Sequence, residues 1–153
     1  MTKQPNKFFC RFETRRKCLA PLGEPVRNAE PVVRFLQQSV FNDPGQLWRE
    51  TCVALYLDSA QRIVGYEVIS VGGVHNCTFD VLPVCRTAVS VMTPNVVIAH
   101  NHPNNICKPS TADVQSTERL RKALSLLEIN LLDSIILTEK EAYSFAEERT
   151  LSR

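Results

Sequence analysis

Two hydrophobic periods alternate along this chain. The stretch "AEPVVRFLQQSVF" (29–41) places apolar residues at Val32, Val33, Leu36 and Val40, a helical spacing, and "NDPG" (42–45) ends it with turn chemistry. "TCVALYLD" (51–58) and "RIVGYEVISV" (62–71) are extended apolar runs on either side of "SAQ", which predicts a hairpin. "GG" (72–73) breaks the pattern. "LPVCRTAVSVM" (82–92) then predicts a helix with Pro83 in its first turn. "NVVIAH" (95–100) is short and continuously apolar, as a strand buried on both faces would be. After a polar loop (101–109), "STADVQSTERLRKALSLLEI" (110–129) predicts the longest helix. It has a capping-box-like start at Ser110 and Asp113, and an apolar stripe of Val114, Leu120, Leu124 and Leu127. "NLLDSIILT" (130–138) predicts a strand, and "AYSFAEE" (142–148) a closing short strand or turn. The order β-β-α-β-α-β-β predicts an α/β fold, a sandwich built on a mixed sheet.

Composition leaves this picture intact and narrows it. The 153 residues suit one domain with a proper core, and no apolar run approaches the ~18 residues of a membrane span. The amino terminus has no apolar signal core, so a cytoplasmic location is the expectation. Six cysteines (Cys10, Cys18, Cys52, Cys77, Cys85, Cys107) contain no CxxC pair and read as reduced thiols.

Charge adds a division. Residues 1–28 carry Lys3, Lys7, Arg11, Arg15, Arg16, Lys17 and Arg27 against Glu13 and Glu24, so this segment is +5 while the whole chain is +2. Pro5, Pro21, Gly23 and Pro25 make it irregular, with one short strand expected near Phe8–Phe12. The expected organisation is therefore a basic extension at 1–28 and a folded domain at 29–153. Such an arm can contact DNA through phosphates. The favoured reading is a solvated extension or an edge strand blunted by charge, since no aromatic-and-basic stacking platform or DNA-binding motif accompanies it.

The chemistry concentrates in "AHNHPNNICKPSTAD" (99–113). His100 closes the buried strand and His102 follows two residues later. In extended backbone these side chains share a side, so two imidazoles can converge on one ion. Asp113 opens the next helix and can fold back as a third ligand. Two imidazoles and a carboxylate form a common catalytic zinc set with a position left for water. The spacing alone leaves a polar loop with two histidines as the other reading.

"HNHP…PSTAD" resembles the JAMM/MPN (JAB) signature, HxHP followed by SxxD, and more narrowly its RadC-like branch, whose loop reads HNHPSG. "ETCVALYLDSAQRIVGYEVISVGG" resembles the branch's first hairpin. "TERLRKALSLLEINLLDSIILT" and "AYSFAEE" resemble its later helix and closing strands, so the likeness covers roughly residues 28–148. The resemblance implies a three-layer sandwich with a mixed β-sheet between helices, an architecture shared with cytidine deaminases. It implies a Zn2+ ion held by His100, His102 and Asp113. It further implies Glu50 as the general base on a metal-activated water, and Ser110 as a donor to the developing oxyanion.

The implied activity is hydrolysis of a peptide or isopeptide bond in a protein or peptide substrate. The rival reading is a DNA-repair-associated accessory or DNA-binding protein. Zinc deaminases are excluded, because neither HxE nor PCxxC is present. One departure stands out: Asn104-Asn105 replaces the branch's Ser-Gly. Cys107, within the loop, can reach a metal or simply pack. Self-association through edge strands stays open.

Overall fold

The computed structural model describes residues 23–42, 47–72 and 79–152. The basic arm lies largely outside them, as do the strand expected near Phe8–Phe12, most of the "NDPG" turn, and His75, the third histidine, which the sequence suggests is a surface residue after Gly72-Gly73. The described elements run α1 (Ala29–Ser39), β1 (Thr51–Leu57), β2 (Ile63–Val71), α2 (Val81–Ser90), β3 (Asn95–Asn101), α3 (Thr111–Ser125), β4 (Asn130–Leu137), β5 (Glu141–Ser144) and β6 (Arg149–Ser152).

The six strands form one mixed sheet in the order β2-β1-β3-β4-β5-β6. Only the β3–β4 pair is parallel, and α3 makes the crossover that a parallel pair requires. β1 and β3 are interior strands, and both are buried on each face, as the unbroken apolar runs in the sequence foretold.

Strand alternation sorts the core into two layers. Val53, Leu55, Leu57, Val97 and Ala99 pack against Val32, Val33 and Leu36 of α1. Cys52, Ala54, Tyr56, Val96 and Ile98 face the other way and pack against Val84 and Ala88 of α2 and Leu120 and Leu124 of α3. The sheet thus has helices on both sides, the three-layer sandwich expected. Val26 joins the α1 layer, and its N–H donates to the Gln61 carbonyl at 2.8 Å, so packing begins just ahead of α1. Asn28 caps α1 by accepting from the Glu30 N–H at 3.2 Å.

Three details differ from the sequence reading. The buried stripe of α3 is Asp113, Thr117, Leu120 and Leu124, while Val114 and Leu127 are 50% and 44% exposed. Two polar residues occupy the inward face because each finds a partner there: Thr117 donates to Ser134 at 3.0 Å, and Asp113 meets the two histidines. Helix α3 also ends at Ser125, short of 129. Its stop is a left-handed Glu128 (φ 58°), which no glycine or proline announces. Finally, β6 follows β5 as an edge strand in which Arg149 and Thr150 are exposed and Leu151, its one apolar residue, packs against the core, so it lacks the apolar alternation that marks a half-buried strand.

Candidate metal centre

β3 runs from a buried middle to a polar end. Val96 and Ile98 point to the α2/α3 side, so His100 points there too. The His102 N–H donates to the Leu137 carbonyl at 2.8 Å, so extended pairing with β4 continues one residue past the strand. The two imidazoles therefore share a side, and their Nε2 atoms lie 3.0 Å apart. Glu50 directly precedes the neighbouring strand, β1. Cys52 pairs with His100 across β1 and β3 and faces α2/α3, so Glu50, two residues earlier, enters on that same side. The fourth group arrives from α3, whose amino terminus follows the loop.

His100 Nε2 lies 3.1 Å from Asp113 Oδ1, and His102 Nε2 lies 3.4 Å from Asp113 Oδ2. Tetrahedral zinc bonds of about 2.0–2.1 Å put neighbouring donors roughly 3.3 Å apart, so these spacings suit one small ion. Glu50 completes the group: one donor atom from each of Glu50, His100, His102 and Asp113 lies within 4.8 Å of the other three. Among the described residues this is the one cluster of three or more His, Cys, Asp or Glu donors so arranged. Glu50, His100 and Asp113 are buried, and His102 is half-buried.

The supporting hydrogen bonds fix these donors. His102 Nδ1 lies 2.8 Å from the Ile106 carbonyl, which can only accept. Nδ1 must therefore carry a proton, so the protonated ring donates Nε2–H to Asp113, and the ring once neutral offers its Nε2 lone pair to a metal. Asp113 Oδ2 accepts from the Ser110 N–H at 2.7 Å and the Ser110 hydroxyl at 2.6 Å, while the Asp113 N–H donates to Ser110 Oγ at 3.1 Å. This is a complete capping box in which the capping carboxylate also faces the histidines. Burial would push the Asp113 carboxyl up, but hydrogen bonds from His100, His102 and Ser110 outweigh it and hold the group well below the usual carboxylate range. The Asp113 carboxylate in turn raises His102, against the opposing effect of burial.

Other residues fall around this group. Ser110 sits exposed at its mouth, with its hydroxyl proton committed to Asp113. Cys107 packs instead of joining the donors: its thiol is buried and lies 4.0 Å from the Ile136 carbonyl. Asn104 accepts from the Ile106 N–H at 3.0 Å, closing a side-chain turn. Asn105 takes the left-handed conformation (φ 57°), and its side chain accepts from the Glu139 N–H at 3.1 Å. Asn104-Asn105 thus folds a tight turn where the family resemblance placed Ser-Gly. Beside His102, a cleft of about 340 Å³ is lined by Leu47, Trp48, Pro103, Asn105, Thr138 and Glu139.

Asn101 is the residue that motif reading overlooks. It lies between the two histidines, so alternation sends its side chain to the opposite face, where it is 1% exposed. A buried amide must be satisfied, and that requirement was the available signal. Its partners are the Leu47 and Arg49 carbonyls, each at 3.0 Å, and the Thr51 N–H at 2.8 Å.

A mixed sheet between helices, with this cluster at the end of its central strand, defines a JAB/MPN-like α/β domain. The chain belongs to the RadC-like JAB domain family, whose model matches residues 26–150. It is 37% identical over 126 residues to a UPF0758 protein of Aquifex aeolicus (strain VF5), covering 82% of this chain and 52% of that one. A UPF0758 protein of Psychrobacter cryohalolentis is 33% identical over 125 residues, covering 82% and 53%. A third, from Legionella pneumophila (strain Corby), is 38% identical over 101 residues, covering 65% and 44%. The chain spans about half the length of these relatives. No helix among the described residues is long and apolar enough to cross a membrane.

Proposed function

We propose that this domain is a zinc-dependent hydrolase of the JAMM type that cleaves a peptide or isopeptide bond. The observation that carries the reading is the convergence of Glu50 with His100, His102 and Asp113. Two imidazole nitrogens and a carboxylate oxygen are donors that zinc accepts readily, and the fourth group is a carboxylate that can serve as a base instead of a ligand. His100, His102 and Asp113 would hold the ion. When bound, zinc supplies Lewis acidity toward a carbonyl oxygen and lowers the pKa of water to about 7.

The chain's own residues supply the rest. Glu50, 8% exposed, takes a proton from the attacking water and passes it to the amide nitrogen. Attack forms the carbon–oxygen bond and puts charge on the carbonyl oxygen; as the carbonyl re-forms the carbon–nitrogen bond breaks, and the amine, protonated by way of Glu50, leaves neutral. Ser110, exposed at the mouth, can turn its hydroxyl from Asp113 toward the oxygen that gains charge. The cleft beside His102 gives a substrate chain somewhere to lie, with Trp48 and Leu47 as its apolar wall.

The test is metal analysis of the purified full chain, handled without chelators, beside His102→Ala and Asp113→Ala. Peptide and isopeptide panels are then incubated with native protein and Glu50→Gln. About one zinc per native chain, loss of it in both ligand variants, and cleavage that Glu50→Gln abolishes are the expected results. Native protein that holds no zinc at neutral pH would sink the proposal.

A further inference from the structure

We propose that Asn101 is a positioning residue that sets Glu50 against the metal-binding triad, an inference that rests on the metallohydrolase reading above. Glu50 lies just outside β1, where the chain enters the sheet. Strand pairing does not by itself fix a residue in that position. Its backbone is nonetheless pinned on both sides. The Arg49 carbonyl accepts from Asn101 Nδ2 at 3.0 Å, and the Thr51 N–H donates to Asn101 Oδ1 at 2.8 Å. The second Nδ2 hydrogen reaches the Leu47 carbonyl at 3.0 Å, and the Gly72 N–H holds the Glu50 carbonyl at 2.8 Å.

Asn101 uses both amide hydrogens and its oxygen on this one segment. The partners also fix the amide's orientation, since carbonyls only accept and a backbone N–H only donates. Its strand neighbours are His100 and His102. One tripeptide therefore presents two imidazoles on one face of the sheet and, on the other, grips the backbone that carries the base. Movement of β3 moves ligands and base together. Leu47 and Trp48, on the same gripped segment, also wall the cleft beside His102, so the clamp sets that wall as well.

No other side chain suits this task equally. Alanine leaves two carbonyls and an N–H without their partner. Aspartate, nearly the same shape, keeps the Thr51 bond but turns a carboxylate oxygen on two carbonyls.

The test uses the full chain loaded with cobalt(II), with glutamate carboxyl carbons labelled and the Glu50 signal assigned by its loss in Glu50→Gln. The cobalt-induced shift of Glu50 reports the placement of its carboxylate independently of turnover. Asn101→Asp and Asn101→Ala should bind cobalt as native protein does, yet lose most of that shift. On any peptide the native enzyme cleaves, kcat should fall about 10- to 100-fold with KM little changed. Asn95→Ala removes a buried amide at the far end of β3, where its side chain bonds the Asp58 carbonyl, and should leave the Glu50 shift as it is. If Asn101→Ala does not fold, the near-isosteric Asp variant carries the test.

An unchanged Glu50 shift in the Asn101 variants, or an equal change in Asn95→Ala, overturns the inference. A shift that responds as expected in a protein that cuts no peptide keeps the positioning role and removes the hydrolase reading. Native chain that takes up no cobalt overturns both.

Discussion

Ser110 and Asp113 cap one another: three hydrogen bonds of 2.6–3.1 Å join them, and the Asp113 carboxylate so held faces both histidines. Helix capping and ligand orientation are thus one arrangement. Ser110→Ala removes the N-cap acceptor and one of the donors to Asp113 Oδ2. It should lower folding stability by about 1 kcal/mol, read as an earlier urea midpoint at unchanged slope. Metal affinity should fall about 10- to 100-fold, because a ligand's outer partner is lost. A stability loss without any loss of affinity would confine Ser110 to capping.

Protons and metal compete at His102. The Asp113 carboxylate raises this imidazole above its ordinary 6.5, and Asp113 is itself held low. In metal-free protein the raised histidine contributes stability that is full below about 6.5 and lost as pH climbs through its folded value. The depressed aspartate contributes stability present above its ordinary 3.8 and lost as pH falls through its folded value. The pair therefore favours metal-free protein most between these limits. Metal needs the neutral ring, so affinity should climb with pH through the raised His102 value and flatten beyond it. Urea titrations from pH 4 to 9, with metal and with chelator, should show a stability gap that widens as pH rises and levels off above the raised His102 value. A gap constant across that range would contradict the assignment of His102 as a ligand.

Trp48 is the chain's single tryptophan, is 77% exposed, and lines the cleft beside His102. An exposed aromatic on a cleft wall adds binding area without supporting the core. Trp48→Ala should leave stability within about 0.5 kcal/mol. On a cleaved peptide, KM should rise about tenfold while kcat holds, the mark of uniform binding loss. Native fluorescence should also change when a peptide is added to the Glu50→Gln protein. Peptides that bind without altering this emission would place the substrate elsewhere.

Most of the sheet was legible because its central strands are buried on both faces. The Val53–Leu57 and Val96–Ala99 runs announce themselves without regard to tertiary contacts. The α3 stripe was read in part: Leu120 and Leu124 are buried, but Val114 and Leu127 are not, and Thr117 faces inward through Ser134, a partner in another strand that no local period can supply. The same division holds at the candidate site. Convergence of His100 and His102 follows from strand alternation alone. Glu50 came from the family resemblance, although its parity with Cys52 supplies a physical reason once β1 and β3 are known to pair. Asn101 escapes a motif reading because it sits between the two histidines at the unspecified position of HxHP, and its own partners lie some 50 residues upstream.

The turn at Asn104-Asn105 offers a final measurement. Asn105 sits at φ 57°, a conformation that asparagine adopts more readily than most residues and glycine adopts freely. Its side chain also accepts from the Glu139 N–H at 3.1 Å, tying the loop to the start of the β4–β5 connection. Asn105→Ala loses this bond and must hold a left-handed backbone with a Cβ that resists it. Asn105→Gly loses the same bond without that resistance, though it frees the unfolded chain more. The difference between them is backbone strain less that unfolded-chain entropy, and the Ala variant should be the less stable by roughly 0.5–1 kcal/mol. Because His102 Nδ1 donates to Ile106 in this same loop, the Ala variant should also bind metal more weakly than the Gly variant. Equal metal affinity in the two would show that the loop's backbone strain and the His102 orientation are independent.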